Sequence, residues 1–103
     1  MFHGVDVVKK ANIYFGGKVS SRTVLFPDNS KKTLGVMLPG EYEFGTDLAE
    51  TMEIMAGHME VLLPGATDWQ TVVGGEEFYV PARASFKLRV IEPVDYCCSY
   101  LKD

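Results

Sequence analysis

Apolar and polar residues alternate in short runs along this chain, and turn signals break the runs at close intervals. In Phe86-Lys87-Leu88-Arg89-Val90 the apolar side chains share one face and the two cations the other. That is the two-residue period of a strand with one side buried. Runs rich in Val, Phe, Tyr, Thr and Leu span 18–26, 33–38, 41–46, 51–56, 58–63, 69–73, 77–80, 86–91 and 95–101. Between them lie Gly16-Gly17, Pro27-Asp28-Asn29-Ser30, Pro39-Gly40, Gly57, Pro64-Gly65, Gly74-Gly75, Pro81 and Glu92-Pro93, residues that favour tight turns. No segment keeps a helical repeat long enough to suggest a helix. Many short strands with frequent turns predict an all-β sandwich or barrel. Residues 1–11 have no clear period and read as an edge strand or a loose arm ahead of one domain at 12–103.

Composition narrows the partners. A chain of 103 residues supports one modest core. Five Tyr and six Phe are compatible with an aromatic-lined cavity, although aromatics also favour strands. A net charge of −4 with ten scattered Lys and Arg excludes nucleic acid and an anionic membrane as main partners, since both require a clustered basic face. No apolar run approaches the ~20 residues of a membrane-spanning helix. The opening MFHGVDVVKKAN places its charges after its apolar residues and does not read as a secretory signal. The expected compartment is the cytoplasm. The cysteines, Cys97 and Cys98, are adjacent, which strains a disulfide between them. Two reduced thiols are expected, one inside and one outside.

The stretch GEYEFGTDLAETMEIMAG at 40–57 carries the candidate chemistry. Glu50 and Gly57 have the spacing of the acidic residue and glycine in the first motif of the cupin superfamily. Gly75 and Pro81 have the spacing of its second motif. The chain therefore resembles a single-domain cupin, which implies a jelly-roll-like β-barrel. Where metal-binding cupins place histidines, this chain has Phe44, Thr46 and Phe86. A first-row metal needs three or four converging N, O or S donors. One carboxylate among these residues does not supply them, so neither a metal nor another cofactor is expected. His3 falls in the arm and His58 at a strand start, and both read as surface residues.

A closer resemblance is to the pyrimidine/purine nucleoside phosphorylase family of small cupins. It is carried by NIYFGGKVSSRTVLF at 12–26, LGVMLPGEYEFGT at 34–46, TMEIMAGHMEVLLPGATDWQ at 51–70, EEFYVPARASFKLRV at 76–90 and EPVDYCCSYL at 92–101. The resemblance implies a metal-free pentosyl transfer by a glycosyltransferase. Nucleosides and inorganic phosphate would give a free base and α-D-ribose 1-phosphate, with broad tolerance of the base.

Strand alternation from Phe44 and Glu50 turns Tyr42, Phe44, Thr46, Glu50 and Met52 inward, and Phe86 follows from the second motif. Tyr96, Cys98 and Tyr100 share a face that is assigned inward. Glu50 and Thr46 are the expected catalytic residues. Tyr42, Phe44, Met52, Phe86, Tyr96 and Tyr100 are the expected substrate-binding residues. For phosphate, Lys87 and Arg89 face outward and Lys31 and Lys32 fall in a turn, leaving Lys18, Arg22 and Arg83. Arg22 and Arg83 are preferred, with Ser21 among nearby hydroxyl donors that include Ser20 and Thr23. Whether Arg22 or its strand neighbours face inward is open on the pattern alone. The alternatives are a nucleoside- or sugar-binding module without catalysis, and a metal cupin using Glu50, Glu53 and His58. An open barrel leaves edges to cover, so a homodimer is expected.

Overall fold

Two of the turn signals make no turn. The runs on either side of Gly57 join into one strand of 13 residues, and those on either side of Pro93 into one of 16 residues. The computed structural model describes residues 1–101, so the last two positions of the expected 12–103 domain lie outside the described residues. In chain order the strands are β1 (Asp6–Val7), β2 (Asn12–Tyr14), β3 (Val19–Leu25), β4 (Lys31–Met37), β5 (Gly40–Gly45), β6 (Glu50–Leu62), β7 (Gln70–Val73), β8 (Glu76–Val80) and β9 (Ser85–Tyr100). A 3-10 turn, Phe15–Gly17, follows β2. Among the described residues there is no α-helix, and no helix long and apolar enough to cross a membrane.

The two long strands organise the sheet. They run antiparallel along nearly their whole length, from Glu50 opposite Tyr100 to Leu62 opposite Lys87. Each has a different neighbour on each half of its outer edge. β4 flanks the second half of β9 and β5 the first half. Likewise β8 flanks the first half of β6 and β7 the second. β3 extends the sheet beyond β4, and both β1 and β2 pair with β3.

The barrel expected from the sequence is corrected to an open antiparallel sheet. The path β1-β3-β4-β9-β6-β7 has two free ends. Strands β1, β2, β5, β7 and β8 hold only two to six residues each. Each covers part of a longer neighbour, and among the described residues none pairs the opposite margin. The all-β class stands.

What curves this sheet is an interruption of the central ladder. The β6–β9 register shifts three times between Ile54 and Met59, and such bulges bend a strand and increase its twist. Gly57 sits there with φ +104°, and a β-carbon on it would collide with the Pro93 carbonyl and lie 2.9 Å from Val94 Cα. Pro93, which has no N–H to donate, is tolerated where the ladder is interrupted. The bend lays the two halves of the sheet over one core. Val19, Met37, Met52, Ile54 and Tyr96 come from one half, and Tyr42, Val61, Val72, Phe86 and Leu88 from the other. Cys98 joins this core, whereas Cys97 lies opposite Leu34 and Glu53. Both thiols are free, and both are buried, so the expected outside position of Cys97 is a covered one.

Gly57→Ala should lower the unfolding free energy by at least ~2 kcal/mol, because it combines an unfavourable φ with backbone collision. Gly65, at φ +76° with open space around it, is the control, and Gly65→Ala should cost no more than ~1 kcal/mol. Urea denaturation of the two variants checks this, and equal losses would remove the close approach as the reason for Gly57.

Candidate functional site

The folded-over sheet leaves a cavity of about 310 Å³ between its halves, at the lower end of the range that holds small organic ligands. Its surfaces are unlike one another. One is polar: Ser21 from β3, Lys31 and Thr33 from β4, Tyr96, Cys98 and Tyr100 from β9, and Glu50 with Met52 from β6. The other is aromatic. Phe44 of β5 and Phe86 of β9 lie opposite each other in register and stack, with ring centroids 5.9 Å apart. Tyr14 of β2 closes on Phe44 edge to face at 6.4 Å. Leu48 and Asp47, from the β5–β6 connection, complete the rim.

Alternation along the strands builds the polar wall. In β4, Lys31, Thr33, Gly35 and Met37 share the inner face, and in β9 Tyr96, Cys98 and Tyr100 do so. Thr33 lies opposite Cys98, Cys98 opposite Met52, and Tyr100 opposite Glu50. Gly35 lies opposite Tyr96, and its missing β-carbon makes room for the Tyr96 phenol.

Glu50 is the buried charge of the site, only 9% exposed. Burial raises its carboxyl above the ordinary range, and a hydrogen bond with the Cys98 thiol partly opposes that rise. The same burial, together with the nearby Glu50 charge, pushes the Cys98 thiol well up. Tyr100 is raised by burial and then by its Cys98 neighbour, and its hydroxyl lies 3.4 Å from Thr33 Oγ1. Burial pushes the Tyr96 phenol to about 12, against a hydrogen bond with Ser21. Asn12 Nδ2 donates to Ser21 Oγ at 3.3 Å and Thr23 Oγ1 at 3.2 Å, bracing that hydroxyl from the edge strand. Apart from Lys31, this wall is made of neutral donors around one carboxyl. Lys31 Nζ stands over the Tyr100 ring, 4.8 Å from its centroid.

Of the residues expected from the sequence, Glu50, Phe44, Met52, Phe86, Tyr96, Tyr100 and Ser21 meet at the cavity. Tyr42 does not. Its ring packs beside Phe15 at 4.9 Å, and its hydroxyl donates to the Leu38 carbonyl at 2.6 Å. Thr46 lies one residue past the end of β5, where strand alternation no longer applies. Its hydroxyl is 2.7 Å from the Pro81 carbonyl and accepts from the Ala84 amide at 3.0 Å, pinning the β8–β9 turn. Arg83 belongs to that turn with φ +52° and lies outside the cavity lining. Arg22 is exposed on the face opposite Ser21, with Nε 3.4 Å from the Lys9 carbonyl.

Tyr14, Lys31 and Thr33 were missed. Extending the Met37, Gly35, Thr33 parity by two residues would have found Lys31, had β4 been started before 33. Tyr14 carried no signal, because its strand is only three residues long. The alternative metal set is not assembled. Glu53 is exposed, His58 Nδ1 lies 4.0 Å from Glu92, and no three metal-ligating side chains gather among the described residues.

Comparison with known proteins adds the family. The model of the pyrimidine/purine nucleoside phosphorylase family matches residues 9–100. A protein of Wolinella succinogenes named pyrimidine/purine nucleoside phosphorylase is 65% identical over 100 residues, covering 97% of this chain and 95% of the relative. A crystal structure of a protein of unknown function from Acinetobacter sp. ADP1 superposes with a TM-score of 0.95 at 42% identity, covering 98% of each chain. A cupin superfamily protein from Desulfitobacterium hafniense superposes with a TM-score of 0.69 at 14% identity, covering 91% of this chain and 84% of the other. That last likeness is one of fold.

The buried carboxyl makes a stability prediction. A carboxyl raised in the folded state holds its proton where the unfolded chain has lost it. Stability therefore falls as pH rises from ~4.3 through the raised value, and the deficit persists above it. Glu50→Gln removes the titration and keeps an oxygen to accept from Cys98. The variant's melting temperature should exceed that of the parent at pH 7–8, and the difference should close towards pH 4. A variant less stable than the parent at pH 7–8 would instead make the Glu50 carboxylate a structural anchor.

Proposed function

The chain belongs to the pyrimidine/purine nucleoside phosphorylase family, and on that premise we infer that it is a nucleoside phosphorylase whose reaction takes place in the cavity between the sheet halves. Phosphate attacks C1′ of the nucleoside, the glycosidic C–N bond breaks, and its electron pair leaves with the base, which then takes up a proton. The products are a free base and α-D-ribose 1-phosphate, the outcome of attack on the face opposite the base. The observation that carries this placement is Glu50, the one buried carboxyl among the described residues, set between stacked aromatic rings and a wall of hydroxyl donors.

Each part of the cavity answers a requirement of that chemistry. Phe44, Phe86 and Tyr14 offer ring surfaces for the base, and stacking of this kind contributes ~1–3 kcal/mol per base in nucleic-acid complexes. Rings stack on one- or two-ring bases alike, which supports broad base tolerance. Tyr96 and Ser21 offer hydroxyls to the ribose. Breaking the C–N bond develops positive charge on the sugar, and ionised Glu50 faces it. No cation partners that carboxylate in the free protein among the described residues. The interaction is therefore gained chiefly in the transition state, where it accelerates the reaction. Thr46 contributes at a distance, by fixing the β8–β9 turn beside the aromatic wall. The reaction needs no metal and belongs to the cytoplasm, where nucleosides and phosphate meet.

Uridine, cytidine, adenosine, inosine and guanosine, each incubated with and without phosphate in the presence of a chelator, test the assignment. Base release should require phosphate and survive chelation. Glu50→Gln should lower kcat by ~10²–10³-fold with a smaller change in nucleoside KM. Thermal stabilisation by nucleosides with no base released would make the chain a binding module instead.

Leu34 and Val36 expose apolar surface on the outer face of β4, and among the described residues β1 and β7, at the two ends of the sheet path, each have an unpaired outer edge. Both features support a homodimer. Sedimentation equilibrium at micromolar concentration should return twice the chain mass of 11.4 kDa, and a monomer there would overturn it.

A further inference from the structure

Phosphorolysis needs an anion site beside the ribose, and the arginines preferred from the sequence lie elsewhere. We propose that Lys31, with the hydroxyls of Thr33 and Tyr100, forms the subsite for inorganic phosphate, an assignment that rests on the phosphorylase reading above. Among the described residues Lys31 is the only basic side chain lining the cavity, and it enters no ion pair with a carboxylate. Seating over the Tyr100 ring holds the ammonium on the wall while leaving its charge available, because a ring face attracts a cation without neutralising it. A lysine is a compact point charge with three donors, a common phosphate partner.

Register supplies the distances. Lys32 pairs with Ser99 and Glu50 with Tyr100, so Lys31, Tyr100 and Glu50 form one row across β4, β9 and β6. Adjacent strands are ~4.8 Å apart, which puts the lysine and glutamate backbones ~10 Å from each other. A phosphate at Lys31 is therefore offset from the Glu50 carboxylate by about the width of a sugar. Thr33 Oγ1 and the Tyr100 hydroxyl, 3.4 Å apart, stand at the same corner and can both turn their protons toward an anion. The aromatic pair lies on the other surface, so base and phosphate meet the ribose from different sides. The remaining arginine, Arg89, lies on the other half of the sheet, where Glu41 at 3.0 Å and Glu60 at 3.6 Å hold it.

Initial rates of Lys31→Met and Lys31→Arg, with phosphate and nucleoside varied in turn, test the subsite. Lys31→Met should raise phosphate KM at least ~10-fold while nucleoside KM moves less than ~2-fold, and Lys31→Arg should recover most of the loss. Without nucleoside, phosphate should raise the melting temperature of the parent protein and not of Lys31→Met. Lys31→Gln serves in its place if the methionine variant does not fold. A parent enzyme that phosphorolyses nucleosides, combined with an unchanged phosphate KM in the variants, overturns the subsite and leaves the phosphorylase reading standing. A parent enzyme with no phosphate-dependent cleavage overturns both.

Discussion

The antiparallel pairing of β6 with β9 is the constraint from which the remaining geometry follows. β4, β5, β7 and β8 attach to the outer edges of this pair, and β3, with β1 and β2 on it, is reached through β4. The same ladder that sets the core sets the site, because Glu50 opposes Tyr100 and Met52 opposes Cys98. A slip of one residue would turn Glu50 to solvent and Thr51 inward, since side chains alternate with a period of two. The bend at Gly57 and Pro93 then decides what those inward residues meet. Without it Phe44 and Phe86 would belong to a separate flat surface, and no cavity would lie between them and the carboxyl.

Holding a cavity open where a core would otherwise close works against stability. Glu50 is buried with a thiol as its hydrogen-bonding neighbour, and a thiol is a weak donor. Gly35 gives up a side chain so that the Tyr96 phenol can lie over it. Phe15 adopts φ +53° just ahead of Gly16 and Gly17, both also at positive φ. That turn presses the Phe15 ring onto Phe44 at 5.3 Å and sets Tyr14 at the mouth of the cavity. The long paired strands compensate, since their apolar inner faces are almost fully buried on either side of the cavity.

Most of the fold was legible because strand alternation is local. The parity of Glu50, Met52 and Ile54, of Phe86, Leu88 and Val90, and of Tyr96, Cys98 and Tyr100 follows from the sequence pattern alone. Closure was not legible, because it depends on strand lengths at the margins. Gly57 and Glu92-Pro93 have turn chemistry, but each faces the other across a ladder, and a ladder bends at such a place where an isolated segment would reverse. Thr46 fails for a related reason: counting by two from Phe44 assumes a strand that ends at Gly45. The arginines fail because their reach depends on neighbours distant in sequence. Arg22 is drawn to the Lys9 carbonyl of the arm, and Arg83 sits in a turn that Thr46 pins away from the cavity. Lys31 was hidden by the Asp28-Asn29-Ser30 turn immediately before it.

The division of the cavity into two chemistries also explains how one small site serves substrates of different size on the proposed reading. Every nucleoside presents the same ribose, and every turnover the same phosphate. Those invariant groups meet the polar wall, where hydroxyls, the carboxyl and Lys31 have fixed places along three paired strands. The base is the part that varies. It meets rings, whose attraction is spread over a face and depends little on which edge atoms the base carries. A buried hydrogen-bonding group aimed at the base would discriminate strongly, because a mismatched base leaves it unpaired. The Phe44–Phe86 stack contains no such group, so discrimination by it is confined to contact area and fit. Breadth of substrate then follows from what the aromatic wall lacks, and the rate rests on the wall that every substrate contacts in the same way.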